Sequence, residues 1–242
     1  MKLKDYTIYI VTLLIVACST SYNLQSIDNE VIAIEAPIDS TILNIILPYQ
    51  NSIEAQMNEV LCISKMEMKK GKPESLLGNF VTDLCLEQFS EAADVCIMNT
   101  GGLRSTLPKG KITRGEIYKL MPFENELVVL ELNKSDFEGM LEYIVSRGGE
   151  PFSGMTLKAS SNGHDIQEVS KMEDYFDFNK GNKIRVLTSD YLANGGDKMW
   201  FFKDKEQNKV GIKLRDAIID HCSKSDTISS KLDNRLIIKE NE

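Results

Sequence analysis

The spacing of hydrophobic residues changes along the chain, and each change marks an element. After Asp39-Ser40, apolar residues recur at three- and four-residue intervals through Ile42, Ile45, Ile46, Ile53, Met57 and Val60. This spacing predicts a helix over residues 39–61, which Pro48 should kink or divide. A short strand over residues 61–66 and a charged loop over 69–74 follow. Ser75 is then placed to cap a helix through Leu76, Phe80, Leu84 and Phe89 that ends near Ser90. Residues 93–98 (ADVCIM) form a short apolar run suited to a buried strand and lead straight into a glycine turn at residues 99–102. Thr113 should cap a short helix to Leu120. Residues 127–132 alternate as a strand, and residues 135–146 place Phe137, Met140, Leu141 and Ile144 on one helical face. Further strands are expected at 154–159, 183–189, 199–202 and 235–239, with a loop at 191–197 and a helix at 210–221. Helices and strands in no strict alternation predict a single α+β or mixed α/β domain without internal repeats.

The N-terminus has a different pattern. Lys2 and Lys4 precede the apolar run YTIYIVTLLIVA at residues 6–17. That run is shorter than the roughly 20 residues needed to span a bilayer, but it fits the apolar region of a secretory signal. Ile15-Val16-Ala17-Cys18 resembles a bacterial lipobox, in which cleavage follows the small Ala17 and the Cys18 thiol takes up lipid. On this reading residues 1–17 are a lipoprotein signal peptide, 18–29 a polar tether and 30–242 the domain, lipid-anchored at the bacterial cell envelope. The alternatives are a plain signal peptide with an incidental cysteine, or an uncleaved anchor.

Composition narrows the function. The 242 residues are 42% hydrophobic, enough for one substantial core, and 36 acidic against 28 basic residues give a net charge of −8. A surface of that sign does not suit a nucleic-acid polymer. Cys85 and Cys96 sit among apolar neighbours, as buried free thiols do, and Cys62 and Cys222 are read the same way, with disulfides as the alternative. No C-x-x-C pair is present, and His164 and His221 are the only histidines, both read as surface residues.

Candidate chemistry lies in three loops. In NTGGLR (residues 99–104) paired glycines let backbone approach a ligand, Asn99 offers donor and acceptor, and Arg104 can fork onto phosphate or carboxylate. The competing reading is a tight turn with a surface arginine. LANGGDKMW (192–200) adds Asn194 and Asp197 after Tyr191, and MPFENELVV (121–129) places Phe123 after a proline at the mouth of a strand. Two aromatics and a carboxylate suit a flat base and a sugar diol, although each ring taken alone reads first as core packing.

The segments LLGNFVTD, NTGGLR, ITRGEIYKLMPFENELVVLEL, FSGM and DYLANGGD occur in an order and spacing that resemble the C-terminal domain of the 5'-nucleotidase family, over roughly residues 30–205. The resemblance implies a domain that binds the nucleoside part of the substrate. It places Phe123 and Tyr191 about the base, Asn125 against it, Asp197 on the ribose, Asn99, Gly101 and Arg104 on the ribose and phosphate side, and Gly154 in the pocket lining. Tyr191 stands where the family usually has Phe, Glu124 and Thr100 where it has glycine, and only Lys70 and Lys72 lie near the place of a further arginine. Family members hydrolyse phosphate esters with a histidine-rich metallophosphatase domain, and neither histidine of this chain lies in such a motif. No catalytic residue and no cofactor is therefore assigned to this chain. The expectation is a nucleotide-binding component whose divalent metals sit on a separate metallophosphatase chain. A non-catalytic nucleoside- or nucleotide-binding envelope lipoprotein is the alternative.

Overall fold

The computed structural model describes residues 39–160, 166–170 and 183–239. The expected signal peptide and tether, Cys18 and His164 lie outside the described residues. The chain divides into two units, residues 1–44 and 45–242, and the second holds all the strands described.

Helix α1 (Ser40–Met57) starts where the sequence predicts, with Asp39 Oδ1 accepting from Thr41 N at 2.8 Å. It continues through Pro48 as one helix and is not divided there, and none of its residues is buried. The strands and helices that follow are β1 (Val60–Ser64), α2 (Leu76–Gln88), β2 (Val95–Ile97), β3 (Gly110–Thr113), α3 (Arg114–Leu120), β4 (Glu126–Leu132) and α4 (Lys134–Ser146). The chain then forms β5 (Phe152–Ser153), β6 (Thr156–Ser160), β7 (Ile166–Ser170), β8 (Ile184–Ser189) and the one-turn α5 (Asp190–Ala193). It closes with β9 (Asn208–Lys213), α6 (Leu214–Lys224), β10 (Thr227–Ile228) and β11 (Leu236–Lys239). The caps read from sequence are present: Ser75 Oγ accepts from Gly78 N at 3.1 Å and Thr113 Oγ1 from Glu116 N at 3.2 Å.

A five-stranded sheet ordered β5-β2-β8-β4-β9 forms the centre, with three-stranded sheets β10-β1-β3 and β11-β6-β7 beside it. This is a mixed α/β domain. Strand β4 explains the layering. Leu127 and Val129 point into one core with Leu77, Phe80, Leu84 and Ile218 from α2 and α6, while Val128, Leu130 and Leu132 enter a second core with Phe137, Met140 and Ile144 of α4. The alternation seen in the sequence is therefore that of a strand covered on both faces. Cys62, Cys85, Cys96 and Cys222 are free and buried.

Three expectations change in this part of the chain. Residues 200–202 form a 3₁₀ turn and not a strand, because Phe201 and Phe202 fill the second core and leave no ladder for the backbone to join. The helix expected from residue 210 begins at Leu214, since Asn208–Lys213 pairs with β4. The loop at 191–197 starts as helix α5, capped by Ser189 Oγ accepting from Leu192 N. In each case a short apolar run allowed two periods, and tertiary pairing selected one.

Candidate functional site

Three adjacent strands bring distant residues together. β2 and β8 are parallel, and β4 runs antiparallel to β8, so the C-terminal ends of β2 and β8 and the start of β4 share one end of the sheet. β2 leads into Asn99, β8 into Tyr191, and the turn before β4 carries Phe123, Glu124 and Asn125. Between them opens a cavity of about 640 Å³, within the range of small-molecule sites. Seven of the residues singled out in the sequence, Asn99, Gly101, Arg104, Phe123, Asn125, Tyr191 and Asp197, line it.

Gly154 does not line it. At φ +95° a Cβ on Gly154 would lie 2.3 Å from the Asp94 carbonyl oxygen, so glycine is needed here for a turn to pass against β2. His221, read as a surface residue, is half-buried and edge-on to Phe80, with ring centroids 5.7 Å apart.

Neither aromatic packs in the core. Phe123 is 41% and Tyr191 46% exposed at the cavity. The Arg104 guanidinium lies 5.7 Å from the Phe123 ring centroid and Nη1 donates to Gly101 O at 3.3 Å, so the one cation lining the cavity among the described residues is held at its rim. Asp197 accepts from Asn99 Nδ2 at 2.5 Å through Oδ2 and from the Tyr191 hydroxyl at 2.9 Å through Oδ1. That bond raises the Tyr191 pKa above the usual phenol value. Asn125 Nδ2 donates to Asp190 Oδ1 at 3.0 Å.

Several contributors were not legible. Leu103, Met121 and Leu214 give the cavity a buried apolar wall, yet in the sequence they are ordinary core residues. Glu150, 5% exposed, accepts from both Thr100 N and Thr100 Oγ1 at 2.7 Å and so pins the 3₁₀ turn that follows Asn99. The signal available for it was a single acidic residue between glycines and an apolar segment. Thr100, a departure from glycine, thus has a specific partner. Lys70 Nζ donates to Leu103 O at 3.0 Å and Lys72 pairs with Glu150 at 3.6 Å, and neither lysine lines the cavity.

Glu124, also a departure from glycine, is paired with Lys213 and with Arg215, which is nearly buried. Arg215 Nη1 further donates to Met121 O and Phe123 O, each at 3.4 Å, so this pairing braces the loop that carries Phe123. The hydrogen bonds from Arg215 and Lys213 lower the Glu124 pKa from 4.5 to about 2. A carboxylate with a depressed folded-state pKa stabilises the fold above its unfolded value and loses that contribution as pH falls through the folded one. The melting temperatures of the native chain and Glu124→Gln should therefore differ at pH 7 and converge between pH 4.5 and about 2. Thermal melts across that window check this, and a gap unchanged at pH 2 would contradict the pairing.

Among the described residues no group of three or more His, Cys, Asp or Glu side chains is placed to hold a metal ion. The donors described do not fit a two-metal hydrolytic centre, which needs several such ligands converging.

An open cavity with aromatic and apolar walls, a few convergent polar groups and a place at the strand ends of a mixed sheet has the form of a small-molecule site. Residues 55–204 match the family described as 5'-nucleotidase, C-terminal domain, and the chain belongs to that family. It is 23% identical over 220 residues to an apyrase of Tabanus yao, covering 78% of this chain and 40% of the apyrase. It is 31% identical over 179 residues to the trifunctional nucleotide phosphoesterase protein YfkN of Bacillus subtilis, covering 67% of this chain and 12% of that protein. The structure of a 5'-nucleotidase precursor from Thermus thermophilus superposes with a TM-score of 0.71 at 27% identity, covering 86% of this chain and 44% of that one. The chain thus spans less than half the length of these relatives.

Proposed function

We propose that this chain is the nucleotide-binding component of a 5'-nucleotidase, holding a nucleoside 5'-phosphate for a separate metallophosphatase chain that carries the divalent metals. The observation that carries this reading is the pairing of two exposed rings, Phe123 and Tyr191, with Asp197, Asn99 and Arg104 around one cavity in a member of this family. The rings stack on the base, Asp197 accepts from the ribose hydroxyls, Asn125 contacts the base edge, and Asn99, Gly101 and Arg104 face the ribose and phosphate. Stacking tolerates every base, so discrimination falls to the sugar and phosphate contacts. The reading of a separate catalytic chain is supported by the lack of a convergent metal-ligand group among the described residues. It is also supported by the exposed stripe of Ile45, Ile46, Tyr49 and Ile53 on α1, an apolar surface of the kind that marks protein contacts. Lipid on Cys18 would hold the component at the bacterial cell envelope, where it serves nucleotide salvage.

Calorimetric titration with adenosine and with AMP tests the reading. Saturable binding of both is expected, tighter for AMP because Arg104 meets the phosphate, and absence of binding to either ligand overturns it. Addition of the chain to its metallophosphatase should raise kcat/KM for AMP, and an unchanged value removes the catalytic partnership.

A further inference from the structure

The hydroxyl that distinguishes Tyr191 from the phenylalanine usual at this place has a defined partner. The phenol donates to Asp197 Oδ1 at 2.9 Å, and its oxygen accepts from Asp197 N at 3.3 Å. One oxygen therefore ties both the side chain and the backbone of Asp197. The other carboxylate oxygen accepts from Asn99, and the Asp197 carbonyl accepts from the Tyr143 hydroxyl at 2.9 Å. Asp197 itself stands at φ 52°, a conformation uncommon for residues other than glycine, so its position depends on these bonds. A Cβ on Gly196 would lie 2.6 Å from Tyr191 Cε1 and Cζ and equally close to the Tyr191 carbonyl oxygen, so glycine here admits both the ring and the turn beneath it.

We propose that the Tyr191 hydroxyl is a specificity-determining group that presets the Asp197 carboxylate to read a ribose diol. A carboxylate offers about four acceptor positions. Asn99 and Tyr191 occupy one on each oxygen, which leaves one on each for the adjacent 2'- and 3'-hydroxyls. Without the phenol the carboxylate is held by Asn99 alone, and its second oxygen must be ordered by the ligand. The gain from presetting is greatest for a ligand that uses both oxygens, so the hydroxyl favours ribonucleosides over 2'-deoxyribonucleosides. This assignment rests on the nucleoside-binding reading above.

The test is calorimetric titration of the native chain, Tyr191→Phe and Gly196→Ala with adenosine and 2'-deoxyadenosine, with a thermal melt of each variant. Tyr191→Phe keeps the stacking face and should weaken adenosine binding about 3- to 10-fold, the scale of one hydrogen bond, while changing 2'-deoxyadenosine less than about 2-fold. Gly196→Ala forces apart the Tyr191 ring, the Tyr191 carbonyl and the turn that carries Asp197, so it should lower the same preference and also lower the melting temperature, whereas Tyr191→Phe should leave the melt nearly unchanged. A preference unchanged in Tyr191→Phe, with both nucleosides still bound, overturns the role of the hydroxyl alone. A native chain that binds neither nucleoside overturns the nucleoside-binding reading and this one with it.

Discussion

Replacement of Phe123 by alanine is expected to weaken adenosine binding by about 1–3 kcal/mol, roughly 5- to 150-fold in Kd, because one face of the base loses its stacking surface. The ring is 41% exposed, so its removal leaves no internal void and the melting temperature should hardly move. Its loop is braced from behind by Arg215 bonds to the Met121 and Phe123 carbonyls, and truncation at Cβ leaves those contacts in place. Phe123→Tyr, which keeps the π-face, should bind within about 2-fold of the native chain, well below the stacking loss. Calorimetry with thermal melts of all three proteins reads both quantities. A Phe123→Ala chain that melts normally and binds adenosine as tightly as the native one would remove the ring from the site.

Gly154→Ala is expected to act in the opposite way, on stability and not on affinity. A Cβ at this position would meet the Asp94 carbonyl oxygen at 2.3 Å, the Leu86 side chain at 3.0 Å and the Val95 Cα at 3.1 Å, and the backbone sits at φ +95°. Asp94 and Val95 belong to the start of the central sheet, where Asp94 N donates to Arg185 O at 2.8 Å, so the backbone there has little room to retreat. Strain plus displaced backbone should cost about 3 kcal/mol, or a fall of roughly 6–12 °C in Tm for a domain of this size. Adenosine affinity measured below the new Tm should be unchanged, because the residue does not line the cavity. A variant with native Tm and weakened binding would instead return Gly154 to the ligand.

These two outcomes mirror what could be read from the chain beforehand. The exposure of Phe123 was only partly legible: the proline before it and the polar pair after it suggest an open ring, but a single aromatic reads first as core, and only the family resemblance set it at a cavity. The glycine in FSGM was legible as indispensable, but not why, since a glycine admitting a ligand and one admitting a neighbouring strand look alike in sequence. Helices with caps, such as α2 after Ser75 and α3 after Thr113, were placed to within two residues because their signals are local. The strand β9 and the turn at Trp200–Phe202 were exchanged for other structures because their identity depends on β4 and α4, far away in the chain. The rim residues were largely foreseen, whereas Leu103, Met121, Leu214 and Glu150 were not. Their part in the site comes only from the convergence of β2, β8 and β4.

Strand β4 also sets how the domain comes apart. Its alternate side chains are shared between two cores, so neither core can melt while the other keeps its wall. Loosening of α4 on one face strips Val128 and Leu130 of their packing, and the same backbone then releases Leu127 and Val129 on the other. The amides of β4 and β8, paired through six registered positions, should be the last to exchange with deuterium, and at one common rate. A protein built this way should unfold without a populated form in which one core stays intact. On the proposed nucleotide-binding role, capture and release would then fall to the rim loops, above a sheet that opens only when the whole domain does.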